Sequence, residues 1–123
     1  YFIAHCKETG WLPLVDFCAP AEPVYYDSTA GVCAACGMLE LAKHTEGAES
    51  EKYAEAAICI LKAIDANWCN YEEDQDALVL MGSERYPFTE EEVKTRMRKP
   101  IIYGDFFFVE AILKLKGSDF LIW

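Results

Sequence analysis

The chain has 123 residues, 53% of them hydrophobic, 26% charged and 14% aromatic, a balance that fits one globular domain and speaks against a disordered or fibrous polypeptide. A formal charge of −10 at pH 7 speaks against nucleic-acid or anionic-membrane partners, which want basic patches. No apolar run approaches the roughly 18 residues that a membrane span needs.

Residues 1–8 read as the last turns of a helix, and Thr9-Gly10 as its stop, because glycine accepts the left-handed conformation that ends helices. The stretch from Trp11 to Tyr26 is apolar but carries Pro13, Pro20 and Pro23, which excludes a regular helix. A second helix opens at Asp27-Ser28-Thr29, with Asp27 or Ser28 as cap, and runs from Ala30 to about Lys43. It has almost no polar face, and its residues are mostly small, so neighbouring helices can approach closely. Lys43 and His44 suit its negative C-terminal end.

Ser50 is the expected cap of a third helix. In it Tyr53, Ala57, Ile60, Leu61, Ile64 and Trp68 recur at spacings of three and four, opposite Glu51, Lys52, Glu55, Lys62 and Asp65. From Cys69 to Pro100 the chain is a long connection, and such lengths usually carry structure or function of their own. Within it Thr89-Glu-Glu-Glu92 reads as a capping box opening a short surface helix. The run from Ala77 to Met81 reads as a short strand or a buried extended segment.

The last element, Phe106 to Leu115, has eight apolar residues in ten, and its exceptions are Glu110 and Lys114. Gly104-Asp105 is the expected start, with the Asp105 carboxylate near the cap. Glu110 and Lys114, four apart, are expected to pair on a narrow exposed strip. Enclosed helices alternate with a one-sided helix, which predicts an inner helical layer wrapped by an outer one. A plain helical bundle fits the same periodicity. In the layered case Asp27-Ser28 and Tyr103-Gly104-Asp105 lie at one mouth.

The six cysteines are Cys6, Cys18, Cys33, Cys36, Cys59 and Cys69. A chain this rich in core residues needs no disulfide framework. Cys33-Ala-Ala-Cys36 has redox or metal spacing, but it falls mid-helix, with no preceding strand and no second pair. The six read as small core thiols, and a reducing cytoplasm is the expected compartment.

Two strings carry a resemblance. Asp27-Ser-Thr-Ala30 followed by Cys36-Gly-Met-Leu-Glu-Leu41, and Ile102-Tyr-Gly-Asp-Phe-Phe-Phe-Val-Glu-Ala111, resemble the C-terminal part of the unsaturated glucuronyl hydrolases, glycoside hydrolase family 88. Asp16-Phe17 and the aromatic end at Trp123 fit the same alignment. Val15, Tyr26 and Met81 depart from it, standing where the family usually has Trp, Arg and His.

The resemblance implies an all-α fold, the C-terminal third of an (α/α)6 barrel, with residues 1–123 as a single partial domain. It implies a substrate as well: oligosaccharides with a 4,5-unsaturated uronic acid at the non-reducing end. One carboxyl group protonates the double bond and activates water, and the hemiketal that forms opens and expels the remaining sugars. No metal or organic cofactor is implied. The two key aspartates of the family lie upstream of the matching region, so no catalytic residue is assigned here and the chain alone is expected to be inactive. A related unsaturated rhamnogalacturonyl hydrolase and a non-catalytic helical sugar-binding or interaction module are the alternatives.

Asp27, Tyr103, Asp105 and Phe106 are the candidate substrate-binding residues. Aromatic faces suit sugar rings, and carboxylates accept sugar hydroxyls. Each also has a purely structural reading, as helix cap or core aromatic. Asp16 and Arg85 are weaker candidates, Arg85 for a bidentate contact with a uronate carboxylate. His5, His44 and Ser28 form no nucleophile–base pattern. A partial toroid would leave apolar helix flanks uncovered, which predicts self-association or a missing N-terminal part of the barrel.

Overall fold

The computed structural model describes residues 1–73 and 76–118, so the aromatic end at Trp123 lies outside the described residues. Five helices follow in order: α1 (Phe2–Glu8), α2 (Ser28–His44), α3 (Gly47–Trp68), α4 (Glu90–Arg96) and α5 (Ile102–Leu115). Among the described residues the extended pairings are isolated bridges, Leu14 with Tyr26, Cys69 with Val79 and Gly82 with Lys99.

The local signals hold at most ends. Gly10, at φ +67°, follows α1. Asp27 caps α2 by accepting from the Thr29 amide at 3.0 Å. Thr89 caps α4 by accepting from the Glu92 amide at 3.2 Å. The Glu92 carboxylate reaches back to the Phe88 amide at 2.8 Å, one residue before the cap. The start of α3 differs from expectation. It begins at Gly47 after Glu46, which makes no side-chain cap. Ser50 instead donates to the Ala42 carbonyl at 2.7 Å, satisfying an orphan acceptor at the end of α2.

α2 is the hub and packs against both α3 and α5. Its Val32, Ala35 and Leu39 form one core with Ala57, Ile60 and Ile64 of α3 and with Phe108 and Ala111 of α5. Full burial of each isoleucine stabilises the fold by about 1.5–3 kcal/mol. Small residues set the spacing. A Cβ at Gly31 would stand 2.6 Å from Ile64 Cδ1 and 2.9 Å from Pro13 Cγ, so a side chain there would have to displace both the Ile64 tip and the Pro13 ring. The Trp11–Tyr26 connection is packed, with Pro13 buried and Tyr26 against the Trp68 ring at 5.5 Å.

α5 departs most from the sequence pattern. Glu110 and Lys114 are buried, their side chains 9% and 3% exposed, and not on an outer strip. Lys114 Nζ meets Glu40 of α2 at 2.8 Å and Glu110 at 3.3 Å. The opposite face of α5 is apolar and open. Ile102, Val109 and Leu113 are 74%, 48% and 42% exposed, and with half-buried Phe106 they follow one another at spacings of four, three and four. The helix is therefore covered on the α2 side and uncovered on the other. No helix among the described residues is long and apolar enough to cross a membrane.

Candidate functional site

The N-terminal ends of α2 and α5 are joined by a strap, residues 77–83, from the long connection after α3. Asp27 Oδ1 accepts from the Ser83 amide at 3.0 Å as well as from Thr29. The Ser28 amide donates to the Met81 carbonyl at 3.1 Å. On the other side Asp105 takes both of its oxygens to the strap: Oδ1 accepts from the Val79 amide at 2.7 Å and Oδ2 from the Leu78 amide at 3.2 Å. Carboxylate bonds to amides are charge-assisted and about twice as strong as neutral ones. The expected cap role of Asp105 is therefore replaced. The helix starts at Ile102 without a side-chain cap, and the carboxylate is drawn to amides 26 and 27 residues earlier in the chain.

Gly82 allows the strap to lie this close. A Cβ there would stand 2.7 Å from the Lys99 carbonyl oxygen and 2.8 Å from Thr29 Oγ1. Met81 takes a positive φ of 64° beside it. Ser83 completes the lock by donating its hydroxyl to the Tyr26 carbonyl at 2.8 Å. Ser83 had no signal in the sequence beyond a Gly-Ser turn pair. The Ser28 hydroxyl below the strap is buried without a hydrogen-bond partner. Burial pushes the Asp27 carboxyl above the ordinary aspartate range, against the lowering effect of its amide bonds.

Asp27 and Asp105 thus stand at one end of the molecule, on either side of one strap. Tyr103 is exposed on the first turn of α5, and Phe106 lies a turn further, half-buried with its neighbour Phe107 edge-on at 5.2 Å. The arrangement offers an aromatic ring and two carboxylates already engaged with amides. The weaker candidates are committed elsewhere. Arg85 pairs with Glu92 and lies over Phe88. Asp16 accepts from the Cys18 amide at 2.8 Å in an exposed turn. His5 meets Glu8 at 3.4 Å, and His44 reaches Glu40 at 3.7 Å on the surface.

The cysteines are free thiols. Burial pushes Cys33 up to about 11 and Cys36 up to about 12, the latter helped by the Glu110 carboxylate beside it. A reactive or metal-binding thiol needs the opposite shift. No group of three or more His, Cys, Asp or Glu among the described residues could hold a metal ion.

No protein-family model matches the chain. An unsaturated glucuronyl hydrolase from Bacillus sp. (strain GL1) is 27% identical over 129 aligned positions, which cover 100% of this chain and 32% of that protein. The crystal structure of unsaturated glucuronyl hydrolase from Bacillus sp. GL1, described as responsible for the degradation of glycosaminoglycan, superposes with a TM-score of 0.78 and 28% identity, covering 94% of this chain and 30% of its own. A second solved structure, a UGL variant with dGlcA-Glc-Rha-Glc, shares the fold at a TM-score of 0.74 and 24% identity, with 93% of this chain and 31% of the other covered. The chain spans about a third of the length of these relatives. Along nearly its whole length the chain is therefore similar to unsaturated glucuronyl hydrolases, and its all-α fold is that of about a third of their α/α barrel.

Proposed function

We propose that residues 1–123 form a partial domain, the C-terminal part of an (α/α)6 glycoside hydrolase acting on oligosaccharides that end in an unsaturated uronic acid. The observation that carries this reading is the joint match in sequence and fold to unsaturated glucuronyl hydrolases over essentially the whole chain. Such an enzyme adds water across the 4,5 double bond, and the product opens and releases the rest of the saccharide. Polysaccharide breakdown is the setting that supplies these ends.

In this reading the strap end of α2 and α5 is one wall of the saccharide site. Tyr103 and Phe106, on successive turns of α5, offer ring faces to a sugar. Asp27 and Asp105 act by holding residues 77–83 in place, because their carboxylates already accept from backbone amides there. The reacting carboxyl group comes from elsewhere in the barrel, and the reaction needs no metal or organic cofactor. The free thiols support a reducing, cytoplasmic setting. The open apolar face of α5 supports contact with the remainder of the barrel or, in the isolated chain, self-association.

The test is an ultraviolet assay for loss of the unsaturated uronyl double bond, run with a protein that contains this chain and with residues 1–123 alone. Loss of absorbance with the larger protein and none with the short chain is the expected result. A larger protein inert toward unsaturated uronyl saccharides would overturn the reading.

A further inference from the structure

Between α2 and α5 lies a cavity of about 290 Å³ lined by Cys33, Cys36, Glu40, Phe107, Glu110 and Lys114. Its charges do not close among themselves. Lys114 is shared by two carboxylates, at 2.8 Å from Glu40 and 3.3 Å from Glu110 Oε1. Lys43 and His44 meet Glu40 from the solvent side, at 3.6 and 3.7 Å. Glu110 Oε2 is buried in a side chain only 9% exposed and has no hydrogen-bond partner. A buried carboxylate oxygen left without a donor is costly.

We propose that this cavity is a socket for one arginine side chain, supplied by the polypeptide that covers the open side of α5. At about 290 Å³ the cavity has room for one long side chain. A guanidinium is planar, permanently charged and carries five donors, so it can satisfy Glu110 Oε2 and still reach Glu40. Its face stacks on the Phe107 ring. An added lysine would only repeat the point contact that Lys114 already makes. The cavity thiols stay protonated at neutral pH, so Cys36 gives the Glu110 carboxylate only a weak thiol hydrogen bond, which leaves room for a stronger donor. The source of the arginine rests on the partial-barrel reading, whereas the socket's own preference does not.

The probe is butylguanidinium at low millimolar concentration, added to the chain carrying ¹³C-labelled glutamate carboxyls, with butylurea as the neutral control. The expected result is a saturable shift of the Glu110 carboxyl with butylguanidinium, at least tenfold weaker with butylurea. The Glu110→Gln variant loses the binding at least tenfold. Phe107→Leu, which leaves the carboxylates intact, weakens it about threefold and covers the case in which Glu110→Gln fails to fold. No saturable shift, an equal shift from butylurea, or full binding by Glu110→Gln would each overturn the proposal. Because the probe is small, this result stands or falls independently of the hydrolase assay.

Discussion

α2 and α5 are alike as sequences and unlike as surfaces. Both are nearly all apolar, and both have an N-terminal end held by the strap. α2 lies between α3 and α5 and is buried along most of its length, whereas α5 has an uncovered apolar face with Val109 and Leu113 about half exposed. Their charged residues differ in a parallel way. Glu40 stays at the cavity edge, 29% exposed, while Glu110 and Lys114 turn inward to meet it. In a helix that is greasy all round, the polar strip does not have to face water. It turns to wherever an opposite charge waits in low dielectric, and the apolar face is left to find another cover.

Removing the ion pair tests this difference most severely. Lys114→Met leaves Glu110 buried without its cation, and the expected loss of stability in urea unfolding is about 3–5 kcal/mol. Replacing the pair together, Glu110→Leu with Lys114→Met, should cost much less, because no buried charge on α5 is then stranded. If the double variant is as unstable as the single one, the buried pair is not what the cost reports.

The strap end should respond next. Asp105→Asn keeps the shape but loses the charge and one acceptor, and the expected loss is about 1.5–3 kcal/mol, the range for hydrogen bonds to charged groups. Amide exchange at Leu78 and Val79 should speed up more than at Ser83, whose amide is held by Asp27. Uniform acceleration would show that the two carboxylates do not act separately.

A pH series separates Glu40 from the apolar contacts. Its hydrogen bond and charge contact with Lys114 hold its carboxyl below the ordinary glutamate value. Its contribution is therefore fully present above the unfolded-state value and is lost as pH falls through the lowered folded value. Lys114→Met should flatten that part of the acid unfolding profile. An unchanged profile would assign the acid sensitivity to other carboxylates.

The smallest stability effect belongs to the open face. Val109→Asp and Leu113→Lys should change stability by no more than about 0.5 kcal/mol, as for exposed sites. They should also reduce hydrophobic-dye binding and any self-association seen by light scattering. A loss of several kcal/mol would mean that this face is already covered within the chain.

What the sequence made legible were features decided within a few residues. The Asp27 cap, the Thr89 cap and the Gly10 stop depend on near neighbours, and each is where its pattern puts it. The periodic burial of Ala57, Ile60, Leu61 and Ile64 followed from the hydrophobic spacing. What escaped depends on distant partners. Glu110 and Lys114 satisfy every rule for an exposed i,i+4 pair until Glu40, 74 residues from Lys114, is brought beside them. Asp105 satisfies every rule for a helix cap until the strap supplies two unpaired amides. Ser50 was an acceptable cap for α3, but the end of α2 claimed its hydroxyl first. Asp27 and Asp105 stood out by pattern and the resemblance, and both prove to bond the strap, whereas the bond from Ser83 to the Tyr26 carbonyl was visible only once the strap was folded.

Amine-reactive footprinting read by tandem mass spectrometry tests the orientation of α5 most directly. Lys114 and Lys116 lie two residues apart and carry the same chemistry, but Lys114 is buried in its ion cluster and Lys116 is exposed. Rapid labelling of Lys116 is expected, with Lys114 spared until the protein unfolds. Equal labelling of the two in the folded chain would contradict it, placing Glu110 and Lys114 back on an outer strip and the apolar face of α5 inside.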